Sequence, residues 1–172
     1  MRFDLLKRGF LSLSFISLSL LCVGCSSSSG AKVLGKQAPL TRLTMLNSGE
    51  MISSDTLKQP LVLAFWATTC KSSPRAIEKL NSYADELADR GVSIVAISID
   101  KSEAFDDVKA MIKFREIDQI SHAFSGNDVY DEAYISFDGS KIPYFVIIDQ
   151  AGTVVQASHT VESILDYFHI ER

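Results

Sequence analysis

Two apolar runs constrain this chain more than anything else in it. Leu61 to Phe65 reads LVLAF and Val92 to Ile99 reads VSIVAISI, both nearly without polar alternation. A strand with one wet face alternates apolar and polar residues, so an unbroken run suits a strand covered on both faces. Between the runs the pattern has helical period: Ile77, Leu80, Tyr83, Ala84 and Leu87 share one face, Glu86 and Arg90 can pair one turn apart, and Gly91 closes the helix. Strand, helix and strand at this spacing form a right-handed crossover, so the two strands are parallel. The chain therefore belongs to the α/β class.

The junction after the first run carries the candidate chemistry. In LVLAFWATTCKSSPR, Trp66 to Thr69 turn the chain, Cys70 follows, and helical period begins at Ser73 with Pro74 in the first turn. Cys70 thus sits at a helix N-terminus, where unpaired N–H groups and the positive end of the helix dipole favour a thiolate. Asp100 falls at the C-terminal edge of the predicted sheet, the side on which such folds carry their sites.

The start of the chain reads as an export signal. Arg2, Lys7 and Arg8 precede an apolar run from Gly9 to Val23, which is too short to span a membrane. LCVGC then resembles a bacterial lipoprotein cleavage site, although Cys22 holds the place usually taken by Leu. Residues 1–24 are read as the signal, Cys25 as the lipidated residue, and residues 25–33 as a flexible tether to a domain over 34–172. Ser26, rather than Asp, after the lipidated Cys points to the inner leaflet of the outer membrane, facing the periplasm. Plain cleavage and release is the alternative. Loss of Arg2, Asp4, Lys7 and Arg8 removes two net positive charges and makes the exported part more acidic than the whole chain's −4. That balance argues against nucleic acid as a partner. Of three cysteines, Cys22 leaves with the signal and Cys25 carries lipid, so Cys70 remains without a partner thiol. A single thiol in an oxidising compartment is either buried and inert or used.

The remaining elements follow in order. Leu40 to Leu46 and the region of Met51 read as a hairpin around Asn47-Ser48-Gly49, and Ser53 to Leu57 as one helical turn. Ser102 opens a helix on Phe105, Val108, Met111 and Ile112, followed by a short strand over Ile120 to Phe124 and a short helix over Val129 to Tyr134. Tyr144 to Ile148 and Thr153 to Ala157 form an antiparallel pair, and Thr160 caps a last helix on Val161, Ile164, Leu165 and Phe168. The 172 residues, 47% hydrophobic and 22% charged, suffice for one domain: a mixed sheet with helices on both faces.

These residues match a family. FWATTCKSS after an apolar strand resembles the thioredoxin-like fold, and most closely the TlpA/ResA-type extracytoplasmic thiol-disulfide oxidoreductases, whose motif is FWAxWCxxC. Leu34-Gly35-Lys36-Gln37-Ala38-Pro39 with the hairpin after it resembles that branch's N-terminal extension, and IPYFVIIDQAG its cis-proline strand and hairpin. The resemblance covers about residues 34 to 170. It implies that Cys70 is the nucleophile, Pro143 the facing cis-proline, Ile142 the residue whose backbone pairs with substrate, and Trp66 an aromatic residue on the site's rim. The partners implied are extracytoplasmic thiol or disulfide proteins and an outside thiol reductant, with no cofactor.

The departures define the chemistry. Ser73 replaces the second motif cysteine, Thr69 the aromatic residue before the first, and Ala76 the Glu found in the ResA type; Leu61 to Phe65 holds no buried acid. Cys70 can form a mixed disulfide, but a Ser73 hydroxyl cannot resolve it; Ser73 can still hydrogen-bond the thiolate. Monothiol exchange or reduction of oxidised protein thiols is therefore expected. One alternative is a redox-inactive binding module or chaperone-like lipoprotein using the groove at Pro143. Another is a single-cysteine peroxidase, although Leu63 and Ala67 occupy the Pro and Thr places of P-x-x-x-T-x-x-C. His122, His159 and His169 have no ligand spacing to Cys70, so no metal is expected and each reads as an edge or surface histidine.

Overall fold

The computed structural model describes residues 29–171 apart from Gln59, so the expected signal over 1–24 and the lipidated Cys25 lie outside the described residues. In chain order the elements are β1 (Arg42–Thr44), β2 (Met51–Ser53), β3 (Leu61–Trp66), α1 (Ser73–Asn81), α2 (Ala84–Asp89), β4 (Ser93–Lys101), α3 (Phe105–Phe114), β5 (Ser121–Gly126), α4 (Glu132–Ser136), β6 (Tyr144–Ile148), β7 (Val154–Ser158) and α5 (Val161–Tyr167). A five-stranded sheet runs β5-β4-β3-β6-β7, and β1-β2 form a separate antiparallel hairpin. β3 pairs parallel with β4, as does β4 with β5, while β6 and β7 run antiparallel.

The unalternating runs become the centre of the sheet. Every residue of β3 is buried. Val62, Ala64 and Trp66 face a core with Ile77, Leu80, Val108, Ile164 and Leu165, which covers that side with α1, α2, α3 and α5. Leu61, Leu63 and Phe65 face the other side, where Leu43, Tyr134, Phe137 and Tyr144 close over them. Phe65 stacks on Tyr144 with ring centroids 5.8 Å apart. Fully burying one such side chain stabilises the fold by roughly 1.5–3 kcal/mol. The fold is thioredoxin-like, a mixed sheet with helices on both faces and the hairpin as an N-terminal extension. Met45 bridges Ala123, and the Leu46 N–H reaches the His122 carbonyl at 2.8 Å, which seats the hairpin on the β5 edge.

Local chemistry overrides the sequence pattern in several places. The single helix expected up to Arg90 breaks between Asn81 and Ala84. Asn81 turns inward, its Nδ2 donating to the Glu116 carbonyl at 3.2 Å and its Oδ1 accepting from the Gln119 N–H at 3.0 Å. Ser82 Oγ donates to the Lys79 carbonyl at 2.8 Å. Such bonds compete with helix propagation. The helix expected over Val129–Tyr134 starts later, because Asp131 caps α4 by accepting from the Tyr134 N–H at 2.6 Å. Thr160 precedes α5 without a side-chain bond to its backbone; its Oγ1 lies 3.0 Å from Ser163 Oγ instead. The packed part also begins earlier than residue 34. Ser29 to Val33, expected within a free tether, fold against the domain, and Val33 is buried.

Candidate active site

Cys70 lies on the turn between β3 and α1. Its N–H reaches back to the Ala67 carbonyl at 3.3 Å, and its side chain is half-buried. Ser72 is the residue before α1, and Pro74 fills the first turn, where a missing N–H costs nothing. The sulfur points across to the loop before β6. Cys70 Sγ stands 3.6 Å from the Ile142 carbonyl oxygen, and the Ile142–Pro143 peptide bond is cis. The fold thus brings Cys70, Ile142 and Pro143 together from opposite ends of the domain.

The Cys70 thiol is held below the ordinary cysteine range. Burial is the largest single influence and pushes it up; the Ser72 and Ser73 hydroxyls and the two backbone N–H groups together outweigh it. Of the two hydroxyls that of Ser72 is the larger influence, with its Oγ 3.4 Å from the sulfur. Ser73 is fully buried and its Oγ makes no well-formed hydrogen bond, so its hold on the thiolate is the weaker one. The residue singled out at the resolving position is therefore not the main hydroxyl partner of the sulfur; its exposed neighbour is.

Trp66 requires a correction. It does not sit on the rim of the site but is fully buried in the core as the last residue of β3, with its ring edge-on to His122 at 6.4 Å. Its position on β3 points it inward, alongside Val62 and Ala64. His122 lies on the edge strand β5 and His159 just past the edge strand β7, in keeping with the edge reading, but neither stands on the open surface. His122 is buried, with Nε2 2.6 Å from the Ile117 carbonyl. His159 is half-buried and its Nδ1 lies 2.8 Å from the Pro143 carbonyl.

One acid next to the motif turn has a role not legible from the spacing. Asp100 is buried at the end of β4 and accepts from the Thr68 N–H at 2.9 and 3.1 Å, from Thr68 Oγ1 at 2.7 Å and from Ser98 Oγ at 2.8 Å. It ties the Cys70 turn to the sheet. Beside it an open groove of about 640 Å³ runs past Ala67, Thr69, Lys101, Glu103 and Ile142. Among the described residues no three His, Cys, Asp or Glu side chains are placed to hold a metal ion.

Known proteins with this architecture include the thioredoxin domain of a thiol-disulfide oxidoreductase from Bacteroides vulgatus. It superposes with a TM-score of 0.68 at 18% identity, over 79% of this chain and 95% of that one. A thiol-disulfide oxidoreductase from Bacteroides fragilis superposes with a TM-score of 0.69 at 19% identity, over 78% of this chain and 98% of that one. At these identities the likeness is one of fold. No functionally curated protein matches the sequence. The family model that matches is the AhpC/TSA family, over residues 34–157, which takes in the hairpin, the Cys70 turn and the cis-proline strand; the chain belongs to this redoxin family.

Proposed function

We propose that this protein is an extracytoplasmic thiol-disulfide oxidoreductase of the TlpA/ResA type that works through the single cysteine Cys70. The observation that carries the reading is the sulfur of Cys70, half-buried, supported by Ser72 and facing the Ile142–Pro143 peptide. A thiolate there attacks one sulfur of a substrate disulfide. The S–S bond breaks, a Cys70–substrate disulfide forms, and the departing thiolate takes a proton from water. Cys70 is the only cysteine among the described residues, so the cycle closes with two equivalents of an outside thiol: the first attacks the Cys70 sulfur, releasing the substrate thiol and forming a Cys70–reductant disulfide, and the second attacks the reductant sulfur of that bond, so that the reductant leaves as a disulfide and Cys70 is free. Ser73 lines the sulfur's helix side, and the Ile142 backbone seats an extended substrate chain. The clients are thiol or disulfide proteins of the periplasm, reached from a lipid anchor at Cys25 in the inner leaflet of the outer membrane.

A binding module with no redox role is favoured by one observation: Ser73 fills the resolving position with a buried hydroxyl that has no partner. The pH dependence of Cys70 alkylation on the purified protein separates the two readings. A midpoint below that of free cysteine supports thiol chemistry. A midpoint at or above it, or no labelling in the native state, leaves the binding module.

A further inference from the structure

The loop that faces Cys70 is gripped from behind. Its outer side carries His159, at the end of β7, and the segment Ser29 to Lys32, more than a hundred residues away in sequence. A carbonyl oxygen only accepts, so the 2.8 Å contact to Pro143 requires His159 Nδ1 to donate. The other ring nitrogen, Nε2, lies 3.0 Å from Ser29 Oγ, and the ring packs on Tyr144 at 5.4 Å between centroids. Ser29 Oγ also meets Ser140 Oγ. The Gly30 N–H donates to the Asp138 carbonyl at 3.2 Å. The Lys32 N–H donates to Asp138 Oδ2 at 3.2 Å, and Lys32 Nζ pairs with Asp138 Oδ1 at 2.9 Å. Gly30 has φ +81°, and a Cβ there would run into Ala157 and the Tyr144 hydroxyl, so only glycine passes this point. The loop over residues 138–143 is thus held between this strap and the sulfur of Cys70.

We infer that His159 and the Ser29–Lys32 strap are positioning elements for thiol exchange: they hold the Pro143 carbonyl from behind, keep the Ile142 carbonyl opposite Cys70 and so set the seat of an extended disulfide substrate. The role rests on the thiol-exchange reading above. The grip acts on the loop and not on the sulfur, whose hydroxyl partner is Ser72. It therefore governs attack on a substrate that must lie along the loop and leaves reaction with a small reagent alone.

The test measures two second-order rates on the full chain, one with a peptide disulfide and one with iodoacetamide. In His159→Ala the peptide-disulfide rate falls by roughly ten- to a hundred-fold, the scale of a displaced reaction geometry. The iodoacetamide rate and its pH midpoint stay at the wild-type values. His159→Asn, which keeps a donor near the Nδ1 position, recovers most of the loss. Gly30→Val, which undocks the strap, behaves like His159→Ala and speeds amide hydrogen exchange over residues 138–142. Unchanged peptide-disulfide rates in both His159→Ala and Gly30→Val overturn the inference, as does an equal fall in both rates without recovery in His159→Asn. A wild-type protein that labels with iodoacetamide but is inert to the disulfide overturns the thiol-exchange reading and the positioning role with it, whereas a reactive wild type with unaffected variants overturns the positioning role alone.

Discussion

The state of Cys70 is decided by two hydroxyls and two backbone N–H groups working against burial. Because the Ser72 hydroxyl stands at 3.4 Å and the Ser73 hydroxyl makes no formed bond, the two serines are separable. Ser72→Ala is expected to move the alkylation midpoint of Cys70 upward, and Ser73→Ala to move it less; mass spectrometry across a pH series reads both. His122 carries a second residue-scale consequence. Burial is the main influence on it and favours its neutral form, opposed by the Ile117 carbonyl and the Asp118 charge, so its pKa lies below the ordinary 6.5. The sign follows: above that ordinary value both folded and unfolded states are neutral and nothing is lost. Below it the unfolded chain takes up a proton that the folded chain resists, so stability falls as pH drops. Urea midpoints between pH 7 and 5 are expected to decline in the wild type and to decline less in His122→Gln, which keeps a donor for the Ile117 carbonyl. Equal slopes would remove His122 from the account.

At the scale of elements, β3 and α1 hold the site in place through one packed layer. Ile77 is fully buried against Val62, Ala64 and α5. Ile77→Ala is expected to cost about 2–5 kcal/mol in denaturant unfolding, the range for deleting a buried aliphatic side chain with its cavity. Asp100 acts between elements, since it bonds both Thr68 in the Cys70 turn and Ser98 in β4. Asp100→Ala leaves buried donors without an acceptor and is expected to cost roughly 1–3 kcal/mol; faster amide exchange at Thr68 to Cys70 would accompany it. These elements differ in how far the sequence revealed them. The runs at Leu61 and Val92 announce central strands, because burial on both faces suppresses alternation. The break at Ser82 and the cap at Asp131 are not visible in apolar periodicity, because side-chain bonds to local and distant backbone decide them. Trp66 departs from the motif's implication for a related reason. Its neighbourhood in the motif suggested the rim, yet as the last residue of β3 it shares the inward face of Val62 and Ala64.

On the scale of the whole molecule, the site joins parts that the sequence keeps far apart. Cys70 and Pro143 are legible from their motifs. The contact between His159 and Ser29 spans a separation of 130 residues and carries no motif, so only the fold reveals it. In the proposed cycle Cys70, the only cysteine among the described residues, stalls as a mixed disulfide until an outside thiol arrives, whereas Ser73→Cys supplies a resolving sulfur. That variant is expected to shorten the lifetime of the mixed disulfide, read by intact mass after mixing with a peptide disulfide. The most direct test of the central claim is the same mixing experiment on the wild type as a function of pH. Reaction by a stabilised Cys70 thiolate predicts a mass increase of one peptide on Cys70, with a pH midpoint below that of free cysteine and persistence until a thiol is added. No adduct at Cys70 under native conditions, or one that forms only as an unperturbed cysteine ionises, would contradict it.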